Sequence, residues 1–145
     1  MTRVDFYILQ NTDDRAKDLV VCRFVEKAFR LGHAIYMLTT DREQSARLDD
    51  LLWTFSPGSF IPHEICTSSD AAAVRASPQV LIGHADPPDN LQDVLVTLCR
   101  EVPTCFSRFQ RIAEFIGASD AEKQYGRDRY RFYRDRGYPL EDHSV

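Results

Sequence analysis

The sequence predicts a single α/β domain over residues 1–145: Rossmann-like, with a mostly parallel sheet flanked by helices. Three observations favour this class. Short apolar runs typical of buried strands alternate with longer segments of helical periodicity. Helix-capping residues and glycines stand between them. The length of 145 residues is that of one ordinary domain, and no repeat or linker divides the chain.

The first strand and helix lie at the start of the chain. The run VDFYIL from Val4 to Leu9 combines β-branched and aromatic residues and predicts a buried strand. Apolar residues at helical spacing predict a helix over about 15–31, which Gly32 ends in a left-handed conformation. Asp13 and Asp14 precede this helix, where carboxylates complement the helix dipole. We therefore interpret them as capping residues and not as metal or catalytic groups.

A second strand and helix follow directly. HAIYML, at 33–38, predicts a strand, and Thr40 with Glu43 has the spacing of a capping box at the start of the next helix. Ser-Pro-Gly at 56–58 ends that helix. Four residues of the helix fall at i, i+3, i+4 and i+7 and form one apolar face: Leu48, Leu51, Leu52 and Phe55.

The second half of the chain continues the alternation. Residues 79–83 and 94–98 predict two further strands. Residues 104–116 and 119–136 predict two helices, the last opened by a capping box and closed by Gly137. The alternation implies strands that run parallel, with the helices covering the sheet.

The motifs of nucleotide and metal enzymes are missing. Neither GxGxxG nor GxxxxGK[ST] occurs, and the first strand is followed by a turn without glycine. No spacing among the histidines or cysteines matches a metal site or a redox pair, so we predict no cofactor, no metal and no active site. The cysteines are expected to be reduced and mostly buried. The residues concerned are His33, His63, His84, His143, Cys22, Cys66, Cys99 and Cys105.

Charge and hydropathy restrict the partners and the compartment. A net charge of -4 argues against a protein that coats nucleic acid with its whole surface. No apolar run approaches the roughly 20 residues that cross a bilayer, and the N-terminal residues do not resemble a signal peptide. We therefore expect a cytoplasmic protein.

One candidate interface is aromatic. Trp53, Phe60 and Pro62 lie around the end of the second helix, and exposed aromatic side chains of this kind anchor protein interfaces. The alternative is that Trp53 and Phe60 complete the core over that helix end.

The other candidate interface is basic. Residues 119–136 contain six basic and four acidic residues. At 100° per residue, five side chains fall within an arc of roughly 100°. The arc fits an acidic peptide or phosphates, and the alternative is an ordinary solvated helix face. Gly126 within this helix predicts either a close approach of another element or a wrong boundary, because an interior glycine costs about 1 kcal/mol relative to alanine. The five residues are Lys123, Arg127, Tyr130, Arg131 and Arg134.

Motifs along nearly the whole chain resemble those of one family, the bacterial DNA polymerase III chi subunits. The resemblance implies a non-catalytic adaptor of the polymerase III holoenzyme that connects the clamp loader to the single-stranded-DNA-binding protein in the replisome, at the nucleoid. The matching segments are Asp5-Phe6-Tyr7-Ile8-Leu9, Arg47-Leu48-Asp49, Leu52-Trp53, Ser59-Phe60-Ile61-Pro62-His63, Lys123-Gln124, Arg127-Asp128-Arg129-Tyr130-Arg131 and Tyr133-Arg134.

The resemblance implies a role for the basic face. In this family it receives the acidic C-terminal tail of the single-stranded-DNA-binding protein, and four residues here match that pocket: Lys123, Arg127, Tyr130 and Arg131. We expect Ile116 to form the apolar floor of the pocket. Tyr125-Gly126 departs from the aliphatic and small pair expected in the family, which puts the shape of the pocket in question.

The resemblance also implies a role for the aromatic stretch. Trp53, Phe60 and Pro62 match the family's surface for the psi subunit of the clamp loader, a surface that binds a helicase in some members. DNA would be contacted only indirectly. Two other functions remain open from the residues alone: a nucleotide-dependent enzyme on a Rossmann-like sheet, and a direct binder of single-stranded nucleic acid. Residues 141–145 receive no role.

Overall fold

The computed structural model describes residues 2–10, 13–55, 61–65, 80–88 and 91–145. Within them seven strands form one sheet, in the order β3-β4-β2-β5-β6-β1-β7, and every neighbouring pair is parallel. This confirms the predicted α/β class. The strands are β1 (Arg3–Ile8), β2 (Ile35–Leu38), β3 (His63–Ile65), β4 (Val80–Gly83), β5 (Val94–Thr97), β6 (Arg111–Ile116) and β7 (Leu140–Ser144).

Three helices in the described residues flank the sheet: α1 (Asp14–Arg30), α2 (Arg42–Thr54) and α3 (Asp120–Asp135). The Asp13 carboxylate caps α1 by accepting a hydrogen bond from the Arg15 amide at 3.0 Å, as predicted. Ser119 caps α3 through the Glu122 amide at 3.2 Å. Gly32 and Gly137 follow α1 and α3 with φ of 91° and 79°, left-handed values that favour glycine.

The predicted cap of α2 is wrong by one residue. Asp41, not Thr40, is the N-cap, and its carboxylate accepts from the Gln44 amide at 2.8 Å. The Gln44 side-chain oxygen accepts in turn from the Thr40 amide at 2.8 Å. Aspartate is a slightly better N-cap than threonine, which decides between two overlapping motifs.

The predicted helix over 104–116 is also wrong. This segment contains a short 3-10 turn (Phe106–Arg108) and then β6. The strand lies between β5 and β1 and is covered on both faces, so its sequence RIAEFI lacks the alternation of polar and apolar residues that identifies a half-exposed strand. A continuous apolar run does not distinguish a buried strand from a helix.

The core has two layers that lie on opposite faces of the sheet. Along β2, Ile35 and Met37 pack in the layer beneath α1 and α2, whereas Tyr36 and Leu38 pack in the layer beneath α3. This alternation follows from the two-residue repeat of a strand. The sheet therefore holds α3 on one face and α1 with α2 on the other.

The described thiols are Cys22, Cys99 and Cys105, and all three are free. Cys22 and Cys105 are buried, as expected, and Cys99 is partly buried. Burial raises the pKa of the Cys22 thiol to about 12, which keeps it protonated and unreactive at neutral pH. Cys66 lies outside the described residues.

Candidate protein-interaction surfaces

The predicted basic residues share one side of α3. Lys123, Arg127 and Arg131 are exposed, and Tyr130 is half-buried with its ring 5.1 Å from that of Phe6. We call this region, together with Ile116 beneath it, the α3 surface. It is held in place because the apolar side of the same helix packs on β1 and β6.

A glycine shapes the centre of the α3 surface. Lys123, Gly126, Arg127 and Tyr130 stand at i, i+3, i+4 and i+7, so they surround one point on the helix. A β-carbon at Gly126 would lie 2.5 Å from Cδ1 and 2.8 Å from Cγ1 of Ile116. Ile116 therefore fills the place of the missing side chain and retains 8% exposure. Of the two predictions for Gly126, the close approach is confirmed, because α3 continues through this residue.

Most other charges of α3 are already paired. Exposed ion pairs join Arg131 to Asp128 at 3.9 Å and Arg134 to Asp135 at 3.4 Å. By contrast, Lys123 and Arg127 have no ion-pair partner in the part of the chain that the structure describes. They are the positive charges of the α3 surface that remain available to a carboxylate.

A buried network fixes the orientation of α3. The Arg129 guanidinium donates to the Glu114 carboxylate of β6 at 2.8 Å, and the Tyr133 hydroxyl donates to its other oxygen at 2.9 Å. The pKa of Glu114 is raised above its ordinary value because burial outweighs the opposing charge of Arg129 and the hydrogen bonds from Tyr133 and Arg129. Arg129 also donates to the Arg100 carbonyl at 2.9 Å. Arg129 is one of the six basic residues counted in 119–136 but lies outside the predicted basic face, and it is buried and paired. A lone glutamate within the apolar RIAEFI was the signal that could have revealed its partner.

The departure at Tyr125 lies away from the α3 surface. Its ring is stacked beneath the Arg100 guanidinium at 4.4 Å, on the other side of the helix. Tyr125, Arg129 and Phe132 line a separate cavity of about 410 Å³ there. Of the unexpected pair, only Gly126 contributes to the centre of the α3 surface.

Rossmann-like domains bind nucleotides in a crevice at the carboxyl ends of their strands, which here is the crevice beside β2, β5 and β6. A cavity of about 190 Å³ lies there, lined by Lys17, Thr40, Cys99, Glu122 and other side chains. Lys17 forms an ion pair with Glu122 across the crevice. Its positive charge is thus already compensated by a carboxylate.

The described aromatic surface lies around Trp53 in α2. Trp53 is 44% exposed, so the alternative that it completes the core is wrong. Pro62 is also exposed, while Phe60 lies outside the described residues. Ile65 of β3, which sequence reasoning missed, is 38% exposed and stands two residues after His63, on the same face of the strand as that partner of Trp53. We call Trp53, Pro62 and Ile65 the Trp53 surface.

A buried histidine supports the Trp53 surface. The His63 ring lies 4.3 Å from the indole of Trp53 and its side chain is fully buried. Its Nδ1 is 2.6 Å from the Ile61 carbonyl, and its Nε2 is 3.0 Å from the Asp49 carbonyl and 3.1 Å from the Asp49 carboxylate. These contacts fix the ring against which Trp53 packs.

The two surfaces are separate. The Trp53 surface adjoins β3, the first strand in the sheet order, and the α3 surface adjoins β6, the fifth. Four strand spacings of roughly 4.8 Å place them on the order of 19 Å apart across the sheet. They also lie on opposite faces, because α2 and α3 do.

The parallel sheet flanked by helices places this chain in the class of Rossmann-like α/β domains. A solved structure, "The crystal structure of T4 UvsW", matches 99% of this chain with a TM-score of 0.72, covering 41% of that chain at 7% identity, and so supports the fold alone. Among the described helices, none is long and apolar enough to cross a membrane.

The sequence comparisons identify the family. The model of the family "DNA polymerase III chi subunit, HolC" matches residues 1–141. The DNA polymerase III subunit chi of Pseudomonas aeruginosa is 42% identical over 145 residues, covering 100% of this chain and 98% of the relative. That of Escherichia coli is 27% identical over 144 residues, covering 97% and 96%. The chain belongs to the DNA polymerase III chi subunit family. It is accordingly a replication accessory subunit whose partners are proteins of the replisome.

Proposed function

We propose that this chain is a non-catalytic, cytoplasmic adaptor that links the psi subunit of the clamp loader to the acidic C-terminal tail of the single-stranded-DNA-binding protein. The observation that carries the tail-binding half is the pair of exposed cations beside Gly126: Lys123 and Arg127 have no ion-pair partner among the described residues. A tail with carboxylates and a final aromatic ring suits such a site. The carboxylates pair with the cations, and the ring packs on Ile116 and Tyr130.

The psi-binding half is supported by the Trp53 surface. An indole that remains 44% exposed but rests on a fixed histidine is a preorganised anchor for a protein partner. A psi subunit or, in its place, a helicase would cover Trp53, Pro62 and Ile65. Phe60 is included in this proposal on the basis of the family resemblance.

Titration of a fluorescent acidic peptide ending in Pro-Phe tests the tail-binding half. We expect Arg127→Ala to weaken binding by about tenfold, the loss of one charge-assisted contact, and higher salt to weaken binding to the wild type. Arg136→Ala is the matched control. Arg136 stacks over Phe132 at 3.6 Å, on the other flank of the helix. Equal affinity of Arg127→Ala and wild type would refute the proposed site.

A further inference from the structure

A third recess lies between α1 and the end of the sheet formed by β6, β1 and β7. It encloses a cavity of about 500 Å³. Its floor is aromatic: the Tyr7 ring stacks on Phe115 at 5.1 Å, and the Phe24 ring of α1 lies 5.3 Å from Tyr7 and 5.7 Å from Phe115. We call this recess the α1 groove. It is distinct from both surfaces described above.

The groove exposes apolar side chains at its rim. Four large hydrophobic residues are exposed in the described part of the chain: Leu31, Trp53, Ile65 and Val145. Trp53 and Ile65 belong to the Trp53 surface. Leu31 and Val145, exposed by 67% and 48%, both line the α1 groove. Exposed apolar side chains grouped around a recess are typical of binding sites.

The charges around the groove are mainly positive. Arg23 and Lys27 lie one turn apart on α1, both are exposed, and neither has an ion-pair partner among the residues described. The Arg111 guanidinium lies 5.1 Å from the Phe24 ring centroid. Its nearby acid, Asp5, is fully buried and already bonded to Arg111.

Two acids lie nearby. Glu26 of α1 precedes Lys27 and pairs with Arg30 at 3.4 Å. Glu141 of β7 is exposed and 3.9 Å from His143. The His143 ring stacks on Tyr7 at 4.8 Å, and its Nε2 is 3.1 Å from the Asp5 carboxylate. The α1 side of the rim thus presents two uncompensated cations within a chain whose net charge is -4.

We propose that the α1 groove binds an acidic, amphipathic peptide segment of a further protein partner. Its carboxylates would pair with Arg23 and Lys27. One large apolar side chain would enter between Leu31 and Val145 and pack on the aromatic floor. The charge of the rim selects an acidic segment over a basic one, and the apolar floor favours a peptide over a bare phosphate chain.

The groove lies apart from the two surfaces assigned above. It is on the α1 face of the sheet, opposite α3, and at the β7 end, opposite β3. A segment bound there would leave both surfaces free. The chain would then have three protein contacts, so the proposal does not depend on the tail-binding or psi-binding roles.

The test uses the full chain and a fluorescein-labelled, C-terminally amidated peptide of sequence Asp-Asp-Phe-Leu-Asp-Asp-Leu-Glu. We expect weak binding, a loss of about tenfold in affinity for Arg23→Glu and for Leu31→Asp, and amide NMR shifts at Tyr7 and Val145. The matched control is Arg42→Glu, the same charge change at an exposed site of α2. It should bind like the wild type. Thermal unfolding of each variant verifies that it is folded.

Several results would overturn the proposal. They are the absence of binding to the wild type, equal affinity of Arg23→Glu and wild type, or binding that Arg127→Glu abolishes and Arg23→Glu leaves intact. The last result would assign the peptide to the α3 surface. If the peptide does not bind, but a single-stranded oligonucleotide or an anionic lipid vesicle does and Arg23→Glu weakens that binding, the groove takes a different class of ligand.

Discussion

At the scale of single residues, the side of the helix decides what each arginine of α3 does. Arg127 and Arg129 are two positions apart, and at 100° per residue their side chains point about 200° apart. Arg129 is buried and paired with Glu114, whereas Arg127 is exposed and unpaired within the described residues. Two residues of the same type thus have different roles: Arg129 stabilises the position of α3, and Arg127 offers its charge to a partner.

Gly126→Ala is predicted to destabilise the fold despite the better helix propensity of alanine. The substitution gains about 1 kcal/mol in propensity. The new methyl group would overlap Ile116 at both Cδ1 and Cγ1, and overpacking of this kind typically costs about 1–3 kcal/mol. We expect a net loss of about 1 kcal/mol in the free energy of unfolding, measured with urea, and weaker tail binding.

A double-mutant cycle tests whether the overlap with Ile116 causes the loss of stability in Gly126→Ala. Ile116→Val removes Cδ1, the atom that the new methyl group would approach most closely. Gly126→Ala should therefore cost less in the Ile116→Val background than in the wild type. Purely additive effects would show that the clash with Ile116 is not the reason.

At the scale of elements, one buried carboxylate connects three neighbouring strands. Asp5 of β1 accepts from Arg111 of β6 at 2.7 Å, and His143 of β7 is 3.1 Å from its other oxygen. Arg3 of the same strand also donates to it, at 3.2 Å. β7 is polar, LEDHS, and would otherwise have little apolar area with which to hold the edge of the sheet.

This network predicts a loss of stability in acid. Burial raises the pKa of Asp5, but the hydrogen bonds from His143, Arg111 and Arg3 and the charge of Arg111 outweigh it, so the net pKa lies below its ordinary value. A lowered carboxylate pKa stabilises the fold at pH values above about 3.9, the unfolded pKa, and that stability is lost as the pH falls through the folded pKa.

Asp5→Asn isolates this contribution. We expect the variant to be less stable than the wild type by about 1–3 kcal/mol near pH 7, because buried partners lose a charged acceptor. The difference should shrink as the pH falls below about 4. Urea unfolding of both proteins between pH 7 and pH 3 measures it, and the other carboxylates cancel in the comparison. A difference independent of pH would contradict the ionised role of Asp5.

At the scale of the whole molecule, the sheet separates the surfaces and should make them independent. We expect Trp53→Ala to abolish co-purification of psi, since a central aromatic anchor commonly contributes about 2 kcal/mol or more, and to leave tail binding unchanged. Arg127→Ala should weaken tail binding and leave the co-purification of psi unchanged. Thr54→Ala, at the exposed neighbour of Trp53, is the control. Recovery of psi with Trp53→Ala, or a loss of both activities in either variant, would contradict the proposed separation.

The sequence was sufficient where structure depends on local chemistry or on family resemblance. The caps at Asp13 and Ser119, the left-handed glycines and the apolar faces of the helices follow from neighbouring residues, and they were predicted. Motifs along the chain identified the family that the comparisons then showed. The exposure of Lys123 and Arg127 follows from helical periodicity.

Only the tertiary structure decided what depends on contacts between distant segments. β6 appeared helical because burial on both faces removes the alternation that marks a strand, and β3 and β7 are short or polar edge strands that need a neighbour to form. The pairing of Arg129 with Glu114 and the packing of Ile116 at Gly126 join residues 15 and 10 positions apart. The α1 groove joins Leu31 to Val145. Local propensity carries no information on such contacts, because they exist only after the sheet has brought its helices together.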